Sequence, residues 1–186
     1  MRFFIFLLYN LLIYPIFFFF VSFLSLFSKK IRCGYIGKFQ TNKILKLYFN
    51  KNILNPNIYW LHCASFGEYL QAEPIIDGLK KKKVDCTIIV SFFSPSGMNN
   101  VKNKNIACKV YIPFDFYWSV NKAFNIVNPK MIIFSSADFW YNFIYIAKNK
   151  NIDTILIGAK SKNYFENKLN LFHYIYRPLY QSITKI

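Results

Sequence analysis

Glu68 is the residue of this chain best placed to do chemistry. An apolar run over Ile58–Cys63 is typical of a buried strand, and Ala64, Ser65 and Gly67 then make a tight turn into a helix that Glu68 opens. In an open α/β sheet, ligands bind just beyond the carboxyl ends of the strands, where a carboxylate can take a proton from a bound hydroxyl. The alternative is a plain helix N-terminal glutamate that stabilises the helix dipole, and this fragment alone leaves both open.

Four further turns follow strand-like runs, and acids, hydroxyls and small residues are concentrated in them. In a parallel sheet with helices on both faces, all five turns open on the same edge. The chain has only eight acidic residues, and Glu68, Asp115 and Asp138 fall in these turns. We therefore predict a substrate cleft at this edge rather than the ordinary polarity of loops. The five turns occupy residues 64–68, 92–97, 113–115, 135–138 and 158–162.

Two of these turns could hold an anion. Ser94, Ser96 and Gly97 lead from a strand into a helix, and the free amides of a helix N-terminus commonly bind phosphate. The same residues also make an ordinary turn and helix cap. Lys160, after the fifth strand-like run, could meet a phosphate or could simply be solvated.

Short apolar runs alternate with helical patterns, and this alternation predicts an α/β fold with a Rossmann-like parallel sheet. Pro74 is expected to kink the first helix of the domain. The predicted strands are 58–63, 86–91, 109–112, 130–135 and 154–157, and the predicted helices are 68–83, 97–102, 118–127, 139–150 and 164–183.

The N-terminal segment Phe3–Phe27 is almost uninterrupted Phe, Leu, Ile, Val and Tyr. Because about 20 apolar residues cross a bilayer as a helix, we predict one transmembrane helix, a membrane anchor over residues 1–30. A buried core helix is the alternative, although such helices rarely lack a polar face. Only Arg2 precedes the run, whereas Lys29, Lys30 and Arg32 follow it, so the rest of the chain is expected on the cytoplasmic side of the inner membrane.

A connector over residues 31–57, with a short helix over 43–49 at headgroup level, then leads to the α/β domain over residues 58–186. The net charge of +16 suggests nucleic acid, but no nucleic-acid-binding motif is present, so we predict anionic lipid as the partner. The four cysteines and two histidines have no zinc spacing, and the thiols are expected to be reduced.

Five motifs occur in the same order as in a known family of enzymes. They are His-Cys-Ala-Ser-Phe-Gly-Glu at 62–68, Phe-Phe-Ser-Pro-Ser-Gly at 92–97, Tyr-Ile-Pro-Phe-Asp at 111–115, Asn-Pro-Lys at 128–130 and Asp-Phe-Trp-Tyr-Asn at 138–142. This series resembles the N-terminal half of the 3-deoxy-D-manno-octulosonic acid (Kdo) transferases, which add Kdo to a lipid A precursor. The resemblance covers nearly the whole chain, and the ordered set is far more specific than any single motif.

The resemblance implies the acceptor-binding half of an inverting glycosyltransferase of the GT-B fold, without metal or other cofactor. CMP-Kdo would be the donor, bound by a second domain. The glutamate that matches Glu68 is the family's catalytic base, and Ser136 stands where the family often has a charged residue that steadies the transition state. The predicted acceptor contacts are Ser65, Gly67, Ser94, Ser96, Gly97, Asp138 and Lys160.

Several positions depart from the family pattern. Besides Ser136, Asp138 replaces a glutamate, Tyr141 replaces a proline, and Gly-Ala-Lys at 158–160 replaces Asn-Ala-Arg/Lys. We find no counterpart of the donor domain before Ile186, so we expect a chain that needs a second half to complete transfer. The competing hypothesis is a non-catalytic, membrane-tethered remnant that only binds lipid or protein.

Overall fold

A five-stranded parallel sheet forms the centre of the molecule, as the alternating pattern predicts. The computed structural model describes residues 3–52, 57–82, 84–138, 140–158 and 177–185. The strand order is β3-β2-β1-β4-β5, which follows the Rossmann order 3-2-1-4-5-6 over its first five positions. The strands are β1 (Ile58–Cys63), β2 (Thr87–Phe92), β3 (Cys108–Tyr111), β4 (Met131–Ser136) and β5 (Asp153–Gly158).

Helices connect the strands and cover both faces of the sheet. Pro74 lies within the helix that follows β1 without ending it. The carbonyl that Pro74 leaves without its usual helical partner is that of Leu70, an exposed residue, so water can satisfy it. The helices are α1 (Phe3–Leu8), α2 (Tyr14–Phe27), α3 (Lys29–Lys51), α4 (Phe66–Lys81), α5 (Pro95–Asn100), α6 (Tyr117–Val127) and α7 (Tyr141–Asn149), with a π-helical turn over Tyr9–Ile13 between the first two.

Apolar side chains fill the space on each face of the sheet, because parallel strands are buried on both sides. In β1, Trp60 packs on one face, where its ring lies 5.1 Å from that of Phe143. Its neighbour Leu61 belongs to the cluster on the opposite face, together with Tyr69 and Ile76 of α4. All of these side chains are almost completely buried. Their packing fixes the strands whose carboxyl ends carry the turns.

The segment predicted as a connector is occupied mainly by a single long helix, α3, which packs along the domain. Thr41 is fully buried and donates a hydrogen bond to the carbonyl of Tyr111 at 2.9 Å. At Gly37 a side-chain β-carbon would lie only 2.2 Å from the Tyr111 ring, so only glycine permits this contact. Lysines and apolar residues interleave along this segment. Its sequence therefore did not indicate a helix that packs on the domain.

The apolar N-terminal segment is helical over Phe3–Phe27 and is long and apolar enough to cross a membrane. One side of it packs on the domain: Ile5, Tyr9 and Tyr14 are buried in the larger core cluster. After Ser28 the chain reverses, and α2 packs beside α3, with the Ser22 hydroxyl donating to Tyr35 at 2.7 Å. The predicted helix over 164–183 and Lys160 lie wholly or mostly outside the described residues.

Candidate functional site

The sheet order brings the turns after β1, β2 and β4 together, because β1 lies between the other two strands. The Ser94 amide donates to the carbonyl of Ala64 at 2.8 Å, which joins the first two turns. The Ser135 hydroxyl, at the end of β4, donates to Glu68 in the first turn at 3.0 Å. Three of the predicted turns therefore form one continuous edge around Glu68.

One oxygen of the Glu68 carboxylate is held in place. Its Oε2 atom accepts hydrogen bonds from the Ala64 amide at 2.6 Å and from the Ser135 hydroxyl at 3.0 Å. Within the described ranges, Oε1 accepts no hydrogen bond, and the side chain is half-buried. A carboxylate fixed through one oxygen can accept a proton on the other. It also lies at the first turn of α4, where the helix dipole favours its charge.

The hydroxyl that supports Glu68 belongs to Ser135, which the sequence did not single out. Its neighbour Ser136 was predicted in a different role, at the position of a transition-state-stabilising residue. Successive residues of a strand face opposite sides, so only one of the two can reach the turn after β1. Ser135 is buried and bonds to Glu68, while Ser136 is half-buried and lies opposite Gly158 of β5 in the strand register. Two adjacent serines gave no signal in the sequence to decide which one faces the site.

The predicted acceptor contacts in the first two turns lie together, and their hydroxyls cap helices. The Ser65 hydroxyl accepts from the Glu68 amide at 3.4 Å and so caps α4, while Gly67 in its first turn is exposed. The Ser94 hydroxyl caps α5 by accepting from the Ser96 amide at 3.3 Å. The Ser96 hydroxyl accepts from the amide at the start of α4 at 3.3 Å.

Gly97, the remaining predicted contact in the second turn, is buried. A β-carbon at this position would lie 2.0 Å from the ring of Phe92. Its glycine is therefore required by the packing of α5 against β2. Lys160 lies outside the described residues.

A chain of buried polar groups leads to Asp138. The Trp60 indole N–H donates to the Ser91 hydroxyl at 2.9 Å, and that hydroxyl lies 3.0 Å from Nδ1 of His62. The other ring nitrogen of His62, Nε2, faces Asp138 Oδ2 at 3.5 Å. His62 is almost fully buried and Asp138 is partly exposed, so the chain connects the core to the edge of the sheet.

The charge on Asp138 is favoured by its surroundings. Burial alone would raise its pKa, but the hydrogen bond and charge of His62, together with the charge of Lys38, outweigh this and lower the pKa. The Lys38 ammonium lies 3.6 Å from the centre of the Phe93 ring and 5.2 Å from that of Trp140. Burial lowers the pKa of Lys38 to about 7, against the opposing effect of Asp138 and Asp115.

Asp115 does not share the cleft, so the expectation of three acids at one open edge was wrong for this residue. Its side chain is almost completely buried and accepts hydrogen bonds from the amides of Asn142 and Phe143, each at 3.0 Å. Burial raises the pKa of Asp115 to about 7. The sequence showed an acid after a strand, but it could not show that the N-terminal segment covers that turn.

The fold and the edge define a class: a Rossmann-like α/β domain with a carboxylate at the carboxyl ends of its strands, where such domains bind ligands. The family of 3-deoxy-D-manno-octulosonic-acid transferases (kdotransferases) matches residues 32–186. This chain belongs to that family, as the order of its motifs indicated.

Relatives with this activity in their names come from distant bacteria. The 3-deoxy-D-manno-octulosonic acid transferase of Haemophilus influenzae is 28% identical over 115 residues, which are 61% of this chain and 27% of the relative. That of Aquifex aeolicus is 29% identical over 131 residues, 68% of this chain and 35% of the relative. That of Chlamydia muridarum is 26% identical over 123 residues, 64% of this chain and 28% of the relative. The chain thus spans about a quarter to a third of the length of these curated relatives.

Proposed function

We propose that this chain forms the acceptor-binding half of a Kdo transferase and supplies its catalytic base. In this proposal the acceptor is a lipid A precursor and the donor is CMP-Kdo, which a separate donor-binding domain holds. Family membership supports the class of reaction. The observation that carries the assignment of the base is the Glu68 carboxylate, which is held through Oε2 at the carboxyl edge of the sheet.

The proposed step is an inverting displacement. The acceptor hydroxyl attacks the anomeric carbon of Kdo, its proton passes to Glu68, and the bond from that carbon to the phosphate oxygen of CMP breaks with the electron pair leaving on CMP. A free sugar hydroxyl is a poor nucleophile, and general-base help of this kind contributes about 10²–10⁴ in rate. We propose that the acceptor lies over the turns that hold Ser65, Gly67, Ser94 and Ser96, with contacts extending to Gly97, Asp138 and Lys160 and with Ser136 near the reacting groups.

The proposed place of action is the cytoplasmic face of the inner membrane. The apolar helix Phe3–Phe27 supports attachment to a membrane. The cations Lys29, Lys30 and Arg32 that follow it support the cytoplasmic side, because anionic lipids of the cytoplasmic leaflet attract basic residues. Attachment keeps the domain where a glycolipid acceptor resides, which raises the effective concentration of that acceptor.

Reconstitution tests the proposal directly. Membranes that contain this chain are incubated with CMP-Kdo and a lipid A precursor, with and without the donor-binding half of the Aquifex aeolicus relative, and the lipid is analysed by mass spectrometry. We expect the Kdo adduct only when both halves are present. Absence of the adduct with both halves folded and associated would contradict the proposal.

A non-catalytic, membrane-tethered module that binds lipid or protein is the second candidate. Ser136, which replaces a charged family residue, favours it, and so does the engagement of Asp138 by His62. In the same reconstitution, a chain of this kind retains the lipid A precursor in a vesicle pull-down and yields no adduct.

A further inference from the structure

We infer that Phe3–Phe27 lies in the plane of a single leaflet of anionic phospholipid, with one face bound to the α/β domain and the other in contact with lipid. It would then not cross the bilayer. This arrangement is independent of the proposed activity, since either could hold without the other. It follows from four features of the segment: polar contacts at its middle, the short length free of the domain, a continuous exposed stripe, and the neighbouring aromatic and basic residues.

Buried polar contacts fasten the middle of the segment to the domain. The Tyr9 hydroxyl donates to Asp115 Oδ2 at 2.8 Å, and the Asp115 amide donates to the Tyr14 hydroxyl at 2.6 Å. Asn10 and Asn142 exchange a pair of side-chain hydrogen bonds, at 3.1 Å and 2.9 Å. We call these residues the polar latch. A helix that crossed the bilayer away from the domain would have to break this latch. The side chain of Asn10 would then lie without its partner Asn142 near the middle of the hydrocarbon, where polar groups are costly.

The stretch of the segment that is free of the domain is too short to cross a bilayer. The contacts with the domain extend from Ile5, in the core cluster, to Phe18, whose ring lies 5.1 Å from that of Phe114. Only residues 19–27 remain beyond these contacts. Nine helical residues measure about 13 Å, whereas the hydrocarbon core is about 30 Å thick.

Most of the exposed side chains form one continuous stripe along the helix, while Phe3 and Phe17 are exposed outside it. Steps of one, three or four residues, together with the π-helical turn over Tyr9–Ile13, place them on a single face, opposite the buried Ile5, Tyr9 and Tyr14. A stripe that runs the full length of the segment fits the surface of a leaflet, because every position along it can reach the same depth. Its members are Phe4, Leu7, Leu11, Leu12, Ile16, Phe19, Phe20, Phe23, Leu26 and Phe27.

An exposed tryptophan of the domain lies beside this stripe. The Trp118 side chain is 67% exposed and stacks on Phe116, with ring centres 4.6 Å apart. Phe116 in turn contacts the rings of Tyr14 and Phe18, at 4.8 Å and 5.1 Å. Tryptophan is enriched at the headgroup level of membranes. Trp118 lies beside the middle of the Phe3–Phe27 helix, so a tryptophan at headgroup level places the middle of that helix at the membrane surface.

Basic residues complete the surface and favour a leaflet rich in anionic lipid. Lys29 and Lys30 are exposed at the turn between α2 and α3, and the Arg32 guanidinium donates to the carbonyls at 25 and 26 that end α2. If α2 and α3 entered the membrane with their connecting turn first, the charges of Lys29, Lys30 and Arg32 would move toward the hydrocarbon. A pair that lies flat keeps them at the headgroups, where each basic residue adds about 1 kcal/mol of attraction.

Depth measurements with spin labels distinguish the two arrangements. Single cysteines replace residues of the stripe, Phe4→Cys, Leu12→Cys and Phe20→Cys, in the full chain with Cys33→Ser. The remaining cysteines are buried, and burial raises the pKa of Cys63 to about 12 and that of Cys108 to about 11, so they resist labelling. The chains are reconstituted in vesicles of phosphatidylethanolamine and phosphatidylglycerol, and the depth of each label is measured by power-saturation electron paramagnetic resonance.

We expect the three labels at one shallow depth, equal to within about one helical turn of 5 Å. A crossing helix would instead place the label at 12 deeper than the label at 4 by about 12 Å, and that result would overturn the inference. Labels shielded from lipid, as a second copy of the chain over the stripe would produce, would overturn it as well.

A second variant tests the polar latch. Tyr9→Phe with Tyr14→Phe removes the two hydroxyls while the segment stays apolar, so the helix can leave the domain and the label at 12 should move deeper. An unchanged depth in this variant would show that the latch does not hold the segment. If the variant does not fold, the label series in the otherwise native chain still decides the arrangement.

Discussion

At position 68, two hydrogen bonds fix one oxygen of the carboxylate and orient the other. Ala64 and Ser135 both donate to Oε2, so the position of the carboxylate depends on the turn after β1 and on the end of β4. A base that is already oriented loses little entropy when the acceptor binds. The support from Ser135 can therefore be measured separately from the base itself.

Replacing Ser135 by alanine should slow transfer without affecting the binding of the acceptor. A hydrogen bond to a charged group contributes about 1.5–3 kcal/mol, so we expect kcat to fall by about 10- to 100-fold with KM for the acceptor unchanged. Steady-state kinetics of the reconstituted enzyme give both constants. Ser136→Ala is the matched comparison, and a larger loss of kcat in that variant would move the supporting role to Ser136.

The pH dependence of stability should report the burial of Lys38. Its pKa in the folded protein is about 7, below the value of about 10.4 in an unfolded chain. Between these values the unfolded chain binds the proton more strongly, so the free energy of unfolding rises with pH from about 7 to about 10. Lys38→Met removes this contribution.

Urea unfolding in detergent at a series of pH values tests this prediction. The stability of the native chain relative to Lys38→Met should rise between about pH 7 and about pH 10, according to the two pKa values. Parallel pH profiles for the two proteins would contradict the burial of the charged group.

Among the secondary-structure elements, the strands were predicted closely and α3 was not. The runs that became β1, β2 and β4 are apolar on both faces, as parallel strands between two layers of helices must be, and that pattern is visible without contacts. The helix α3 packs through Gly37 and Thr41, which are ordinary residues in sequence. Their role depends on the Tyr111 strand opposite them, which no local pattern reports.

The same reasoning applies to the site. Glu68 could be found because a small-residue turn and a helix start surround it. Ser135, His62 and Lys38 could not, because their contacts depend on which face of a strand is buried and on a helix distant in sequence. The burial of Asp115 depends on the N-terminal segment, about 100 residues away.

Gly37→Ala should test the packing of α3 on the sheet. The added β-carbon would meet the Tyr111 ring at 2.2 Å, and overpacking of this kind costs about 1–3 kcal/mol. Gly78→Ala in α4 is the matched control, because no atom lies within 4 Å of the added carbon. Both changes gain the same helix propensity of about 1 kcal/mol, so the difference between them isolates the contact.

Urea unfolding of the two glycine variants measures that difference. We expect Gly37→Ala to be less stable than Gly78→Ala by about 1–3 kcal/mol. Equal stability would mean that α3 is not packed against the Tyr111 ring.

For the whole molecule, the arrangement of basic residues should give the protein a single lipid-binding side. Lys29 and Lys30 adjoin the exposed stripe, whereas Lys81 and Lys82 lie at the end of α4, beside the opposite edge of the sheet. Lys29→Gln with Lys30→Gln should weaken binding to anionic vesicles by about 30-fold, since each charge near the surface contributes about 1 kcal/mol.

Flotation of vesicles with and without phosphatidylglycerol measures this effect. Binding to neutral vesicles should be unchanged in the Lys29 and Lys30 variant, because the apolar stripe remains. The control pair, Lys81→Gln with Lys82→Gln, should bind both kinds of vesicle like the native chain. An equal loss for both pairs would indicate attraction by net charge alone, without a preferred side.

The most direct test of the central claim is the rate of Kdo transfer by Glu68→Gln, a change that keeps the shape of the side chain and removes its ability to take a proton. Glu73→Gln is the control, because Glu73 lies on the same helix and bonds to Tyr69 and Asn103, away from the turn after β1. In the reconstituted enzyme we expect Glu68→Gln to lose about 10²- to 10⁴-fold in kcat while Glu73→Gln stays near the native rate. Transfer by Glu68→Gln at the native rate would contradict the account.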